Sequence, residues 1–235
     1  MWYWNQANFE GLISVADSIS GEPEWSDFAA YCRLRERGLR KDALASIDRF
    51  MKLALSWPVP ERRRFVTWLY DTQQSVPQVH QLVIQPLRCR FALPTLEAWS
   101  LSEPSNSVVW RLLGTATANT EHFGTALDLD PADNYSRFQI ILRLLQNVSH
   151  QCHHLPDYFI GEPVEALQDL ATAQAMASEF VDTSIPEALA SDIQDLQNKI
   201  NDWQTFLATG EESFSAWCSN NNRSYTWCKA YYYDT

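Results

Sequence analysis

The chain has 235 residues, with 18 Lys or Arg against 29 Asp or Glu for a formal charge of -11; 46% are hydrophobic, 13% aromatic and only 7 are glycine. That aromatic content excludes a disordered or collagen-like chain, and so few glycines disfavour an all-β fold with glycine-rich turns. The length suits one large domain or two small ones and can bury a sizeable core.

Residues 1–8 carry no basic n-region, apolar stretch or small-residue cleavage site, so no secretory signal is expected. No apolar run approaches a membrane span. The five cysteines, Cys32, Cys89, Cys152, Cys218 and Cys228, are scattered without a CxxC pair. They read as reduced thiols, and the expected location is the cytoplasm.

Helical periodicity recurs along the chain. Phe9, Leu12, Ile13, Ala16 and Ile19 make one apolar stripe, closed by Gly21 and Pro23. A second helix starts at Ser26, with Asp27 near its positive end, and stops at Gly38, where glycine suits the left-handed residue after a helix. Ala43, Ile47, Phe50, Met51 and Ala54 stripe a third, broken by Pro58 and Pro60. Phe65, Trp68 and Leu69 form the buried side of a fourth. Prolines 77, 86, 94 and 104 predict short pieces between 75 and 105. The most β-like string, 79–84, is too short to count as a convincing strand.

From Ser107 the helical pattern resumes with Val108, Trp110, Leu112 and Leu113, turns near Asn119 and continues through Phe123, Ala126 and Leu127 to Pro131. A strong helix spans 132–148, with Phe138, Ile141, Leu142, Leu145 and Val148 on one face. Residues 149–163 read as an irregular, His-rich loop. Val164, Leu167, Leu170, Ala171, Ala177 and Val181 then stripe a helix. Leu189, Ile193, Leu196, Ile200, Trp203 and Leu207 follow at alternating spacings of 4 and 3, an a/d seam. The simpler use of that seam is an antiparallel hairpin turning at 183–186, with a dimerising coiled coil as the alternative. A final helix begins near Phe214 and Trp217.

The predicted fold class is all-α, an irregular helical-hairpin stack or multi-helix bundle of about ten to twelve helices. The chain reads as a single helical domain, 1–235, with subdivisions 1–74, 75–161 and 162–235.

Two places resemble fragments of tetratricopeptide repeats, stacked helix pairs with a period of about 34 residues. Phe123, Ala126, Leu127 and Pro131 are similar to the second helix and exit turn of such a repeat. Upstream, Trp110, Leu113 and Gly114 match its W-x2-L-G start, although Pro131 follows Trp110 by only 21 residues. Gly38, Ala43 and Leu44 resemble the turn between paired helices. The resemblance implies a tetratricopeptide-like helical stack. The stretch 153–161, beginning His153-His154-Leu155-Pro156, looks like some uncharacterised bacterial helical-repeat proteins and implies no activity.

For chemistry, His150, Cys152, His153 and His154 form the sharpest cluster. Imidazole and thiolate are zinc ligands, and a cysteine near histidines suggests a nucleophile. Adjacent histidines point apart, however, and polar groups in a helix-exit loop explain the cluster more simply. There is no GxxxxGK[ST], HExxH, GxSxG or GxGxxG motif. No catalytic residue, metal or cofactor is assigned, and a non-enzymatic chain is expected.

Charge carries the strongest functional signal. Residues 33–90 hold 12 basic and 5 acidic side chains, whereas 162–212 hold 11 acidic residues and only Lys199 as a base. The run Arg62-Arg63-Arg64, with Trp57, Trp68 and Tyr70, suggests a nucleic-acid groove. Overall acidity repels phosphate, and the aromatics are more simply core, so no nucleic-acid or membrane partner is expected. The acidic half suits a basic protein partner, because opposite charge steers encounter. The expected role is a bacterial immunity (antitoxin-like) or adaptor protein. Its expected contacts are Glu165, Asp169, Glu179, Asp192, Asp195 and Asp202 for steering, with Tyr158 and Phe159 as aromatic anchors. The alternative is a metal protein or enzyme centred on 150–154.

Overall fold

The computed structural model describes residues 5–180 and 187–227. Among them the chain forms helices, short 3-10 turns and no strand, so the fold is all-α. No described helix is long and apolar enough to cross a membrane. Val181, the expected turn at 183–186, Cys228 and the tyrosines at 231–233 lie outside the described residues. The backbone packs as two compact units, 1–122 and 123–235.

Unit 1 begins with α1 (Gly11–Ser18), α2 (Ser26–Glu36), α3 (Arg40–Ala54) and α4 (Val59–Ser75). Gly38, at φ 74°, supplies the left-handed residue that releases the chain from α2 into α3. α2 packs against both α1 and α3. Phe65 of α4 sits at the centre of an aromatic cluster. Its ring lies 4.7 Å from Phe50, 5.0 Å from Trp25, 5.2 Å from Phe28 and 5.9 Å from Phe91. Each such pair is worth about 0.5–1.5 kcal/mol beyond area burial, so this cluster ties α2, α3 and α4 together. Trp57 and Tyr70 are buried and Trp68 is half-buried, which leaves none of the three as an open stacking platform for bases.

The expected fragmentation of 75–105 is only half right. Residues 76–84 form a turn-rich loop, with Gln78 and Gln81 at positive φ. From there α5 (Gln85–Leu87), a π-helical turn (Arg88–Ala92) and α6 (Leu93–Ser102) run on without interruption. Pro86 lies in the first turn, where its missing N–H has no helical acceptor to lose. Pro94 directly follows the π turn, whose extra residue accommodates the break in the ladder. There the Thr95 hydroxyl donates to the Phe91 carbonyl at 2.7 Å. α7 (Ser107–Thr117) starts at Asn106, whose side chain accepts from the Val108 N–H, and packs on α4 and α6.

The unit boundary falls within α8 (Thr120–Leu129). The residues that carry the tetratricopeptide resemblance therefore divide between the units. Leu113 and Gly114 are buried in α7, and Phe123 and Ala126 in α8.

Unit 2 continues with α9 (Asn134–Gln151), α10 (Pro163–Ser178), α11 (Glu187–Thr209) and α12 (Phe214–Asn220). α9, α10 and α11 pack mutually, and α12 closes on α11. Asp133 caps α9 by accepting from the Tyr135 and Ser136 N–H groups, at 3.1 and 3.2 Å. The expected α10 stripe is rotated. The buried positions are Ala166, Leu170, Ala173 and Ala177, while Val164 is 57% exposed and Ala171 is at the surface. Three alanines on one face present little bulk where α10 meets its neighbours. The α11 seam serves as internal packing at Leu189, Ile193, Ile200 and Trp203. It ends before Leu207, which is 57% exposed because Phe206 takes the inward position.

Candidate protein-binding face

The division into units sharpens the charge asymmetry. Unit 1 contains 13 basic and 13 acidic side chains, whereas unit 2 contains 5 basic and 16 acidic ones. The whole net charge of -11 therefore belongs to unit 2.

Among the described residues, five of the ten arginines in the basic segment form ion pairs inside unit 1. Arg33 pairs with Asp17, Arg49 with Asp27 and Arg90 with Asp48. Arg64 bridges Glu22 and Glu61 and lies 4.8 Å over the Trp25 ring. Arg63 pairs with Glu103 and covers Trp99. Glu103 also accepts from the Trp99 indole at 2.9 Å and from Asn106 at 3.0 Å. These bonds, Trp99 first, then Asn106 and Arg63, hold its carboxyl down at about 2.

The acidic candidates separate into three groups. Asp192 and Asp195 stand one turn apart on α11, the i,i+3 spacing that puts two side chains on one helix face. Both are exposed, and both line a groove of about 380 Å³ between α9 and α11. Its apolar lining is Leu142, Leu145 and Leu196, and Gln146 and Ser149 add polar edges. Neither aspartate has an ion-pair partner among the described residues. Lys199, four residues beyond Asp195, instead lies 5.5 Å from the Tyr225 ring centre. Two neighbouring like charges on a helix cost about 0.2–0.5 kcal/mol. This pair therefore adds nothing to the stability of α11.

Glu165 is exposed and Asp169 half-buried on α10; neither lines the groove. Glu179 is the carboxylate that faces the buried guanidinium of Arg137, at 3.5 Å. Asp202 corrects the expectation of a surface contact. It is 8% exposed, because the chain after α12 folds back over it: the Tyr225 hydroxyl donates to it at 2.5 Å and Arg223 approaches to 3.1 Å. Among the aromatics, Tyr158 is 50% exposed and stacks on His154 at 4.6 Å, whereas Phe159 packs against the unit 2 core.

The groove leucines were legible only as helix stripe and seam residues. A periodic pattern marks them as inward-facing but does not reveal that α9 and α11 leave a gap above them.

The His-rich segment does not assemble a ligand set. Among the described residues no three His, Cys, Asp or Glu side chains converge as a metal would require. The His150 and His153 rings stack at 6.4 Å, and His153 meets His154 edge-on at 5.1 Å. Cys152 is buried, and loss of solvent pushes its thiol up to about 11. At neutral pH it is protonated, the less nucleophilic form.

Comparison of the chain with protein-family models, curated proteins and solved structures gives no match.

Proposed function

We propose that this chain is a non-enzymatic protein-binding module that holds a basic partner against the acidic face of unit 2, as a tetratricopeptide-like immunity or adaptor protein of a bacterial cytoplasm. One observation carries the reading: Asp192 and Asp195, two carboxylates without an ion-pair partner among the described residues, flank a leucine-lined groove in the unit that bears all the net charge. Carboxylates that do not stabilise their own helix are available to a partner. The fitting occupant is an amphipathic segment with Lys or Arg beside an apolar ridge, laid between α9 and α11. The leucines supply affinity by burial, and the carboxylates supply steering and register.

Affinity capture from native extract at low and high salt tests this, with the Asp192→Asn, Asp195→Asn double variant alongside the wild type. The expected result is a basic protein retained at low salt, weakened at high salt as surface charges are screened, and lost from the variant. Equal capture by the variant, or a partner insensitive to salt, rejects the proposal.

A further inference from the structure

Unit 1 contains a second cavity, of about 390 Å³, with Tyr31, Arg35, Arg40, Leu44, Gln81 and Val83 in its lining. Arg35 of α2 is only 8% exposed. A cation withdrawn from water to that degree is normally matched by a carboxylate, yet among the described residues none lies within ion-pair distance. Among the described residues the guanidinium donates one hydrogen bond, to the Gln81 side-chain carbonyl, and its carbon lies 5.2 Å from the Phe9 ring centre. Its Nε–H is buried without a partner.

Arg40 lines the same cavity and likewise has no carboxylate partner among the described residues. It opens α3, a helix whose N-cap, Leu39, offers no side-chain acceptor to the first-turn N–H groups. Those groups give the rim a partial positive charge. Asp42 is the acidic residue of that turn and pairs with neither arginine. The opposite wall is held under constraint. Gln81 adopts φ 63°, uncommon for a residue with a Cβ, while its backbone carbonyl accepts from Tyr31 and its side chain from Arg35.

We infer that this cavity binds a small organic anion, its oxyanion head held by Arg35 and Arg40 and its apolar body against Leu44 and Val83. Guanidinium donors match both carboxylate and phosphate oxygens, and the volume falls within the range of small-molecule sites, about 300–1,000 Å³. This inference concerns unit 1 and does not draw on the proposed acidic face.

Titration calorimetry of the full chain with benzoate, phenyl phosphate and uncharged benzyl alcohol tests it. At least one anion is expected to bind saturably and the alcohol not to. Stronger binding of benzoate assigns a carboxylate head, and of phenyl phosphate a phosphate ester. Arg40→Gln, at an exposed position, is expected to weaken the anion about tenfold, the loss of one charge-assisted hydrogen bond. Arg35→Met is expected to abolish binding, and the Arg40 variant remains decisive if that buried substitution prevents folding. No saturable binding of either anion, equal binding of benzyl alcohol, or unchanged affinity in Arg40→Gln overturns the assignment.

Discussion

Alanine at position 11 tests how tightly the 76–84 loop is seated on α1. In an ordinary helix, glycine to alanine is favourable by about 0.5–1 kcal/mol. Here the Gly11 N–H donates to the Gln78 carbonyl at 3.2 Å, drawing the loop backbone over the start of α1. An alanine Cβ would overlap the Pro77 carbonyl oxygen and stand 2.9 Å from Val79 Cγ1 and 3.2 Å from the Gln78 carbonyl carbon. Two of these three neighbours are backbone, so relief requires moving the loop. Overpacking of this kind costs about 1–3 kcal/mol, more than the propensity gain. Gly124, in the middle of α8, is the matched control, because nothing lies within 4 Å of its added Cβ. At about 2–4 °C per kcal/mol for a chain of this size, Gly11→Ala is expected to lower Tm by several degrees. Gly124→Ala is expected to raise it by about 1–4 °C. Thermal unfolding followed by circular dichroism reads both. A Gly11→Ala protein that melts at or above the wild type would refute the close approach of loop and helix.

Two further outcomes follow from the electrostatics. Because Glu103 ionises in the folded chain at about 2, below the ordinary value of 4.5, its contribution to stability is present above pH 4.5 and is lost as pH falls toward 2. Following the Trp99 indole N–H by NMR should show the proton shift moving with Glu103 in that window in the wild type, and staying flat in Glu103→Gln. Among the thiols, exposed Cys89 should react with a maleimide at pH 7 well before the buried Cys32 and Cys152; peptide mass mapping that finds Cys152 modified first contradicts its burial.

The proposed groove and anion cavity were legible in the sequence to different degrees. Asp192 and Asp195 stood out as an i,i+3 pair in an acidic stretch, and their exposure follows from the seam one position away at Ile193 and Leu196. Asp202 looked equivalent by the same pattern. It differs because Tyr225 and Arg223, more than twenty residues later, close over it. Arg35 read as one more charge in a basic stretch. In the structure it is buried, met by Gln81 of the 76–84 loop and by the Phe9 ring, with its Nε–H left without an acceptor.

What the sequence determined by itself was local: the helical class, most helix ends and the inward stripes of α3 and α9. These depend on side-chain periodicity and on proline, glycine and capping residues, all of which act over a few positions. Tertiary structure decided which charges are neutralised, which face of α10 is buried and where gaps remain between helices. It also carried the chain through Pro86 and Pro94 without a break. Those outcomes depend on which distant segments meet, because burial and ion pairing arise from contacts that no short window of sequence contains.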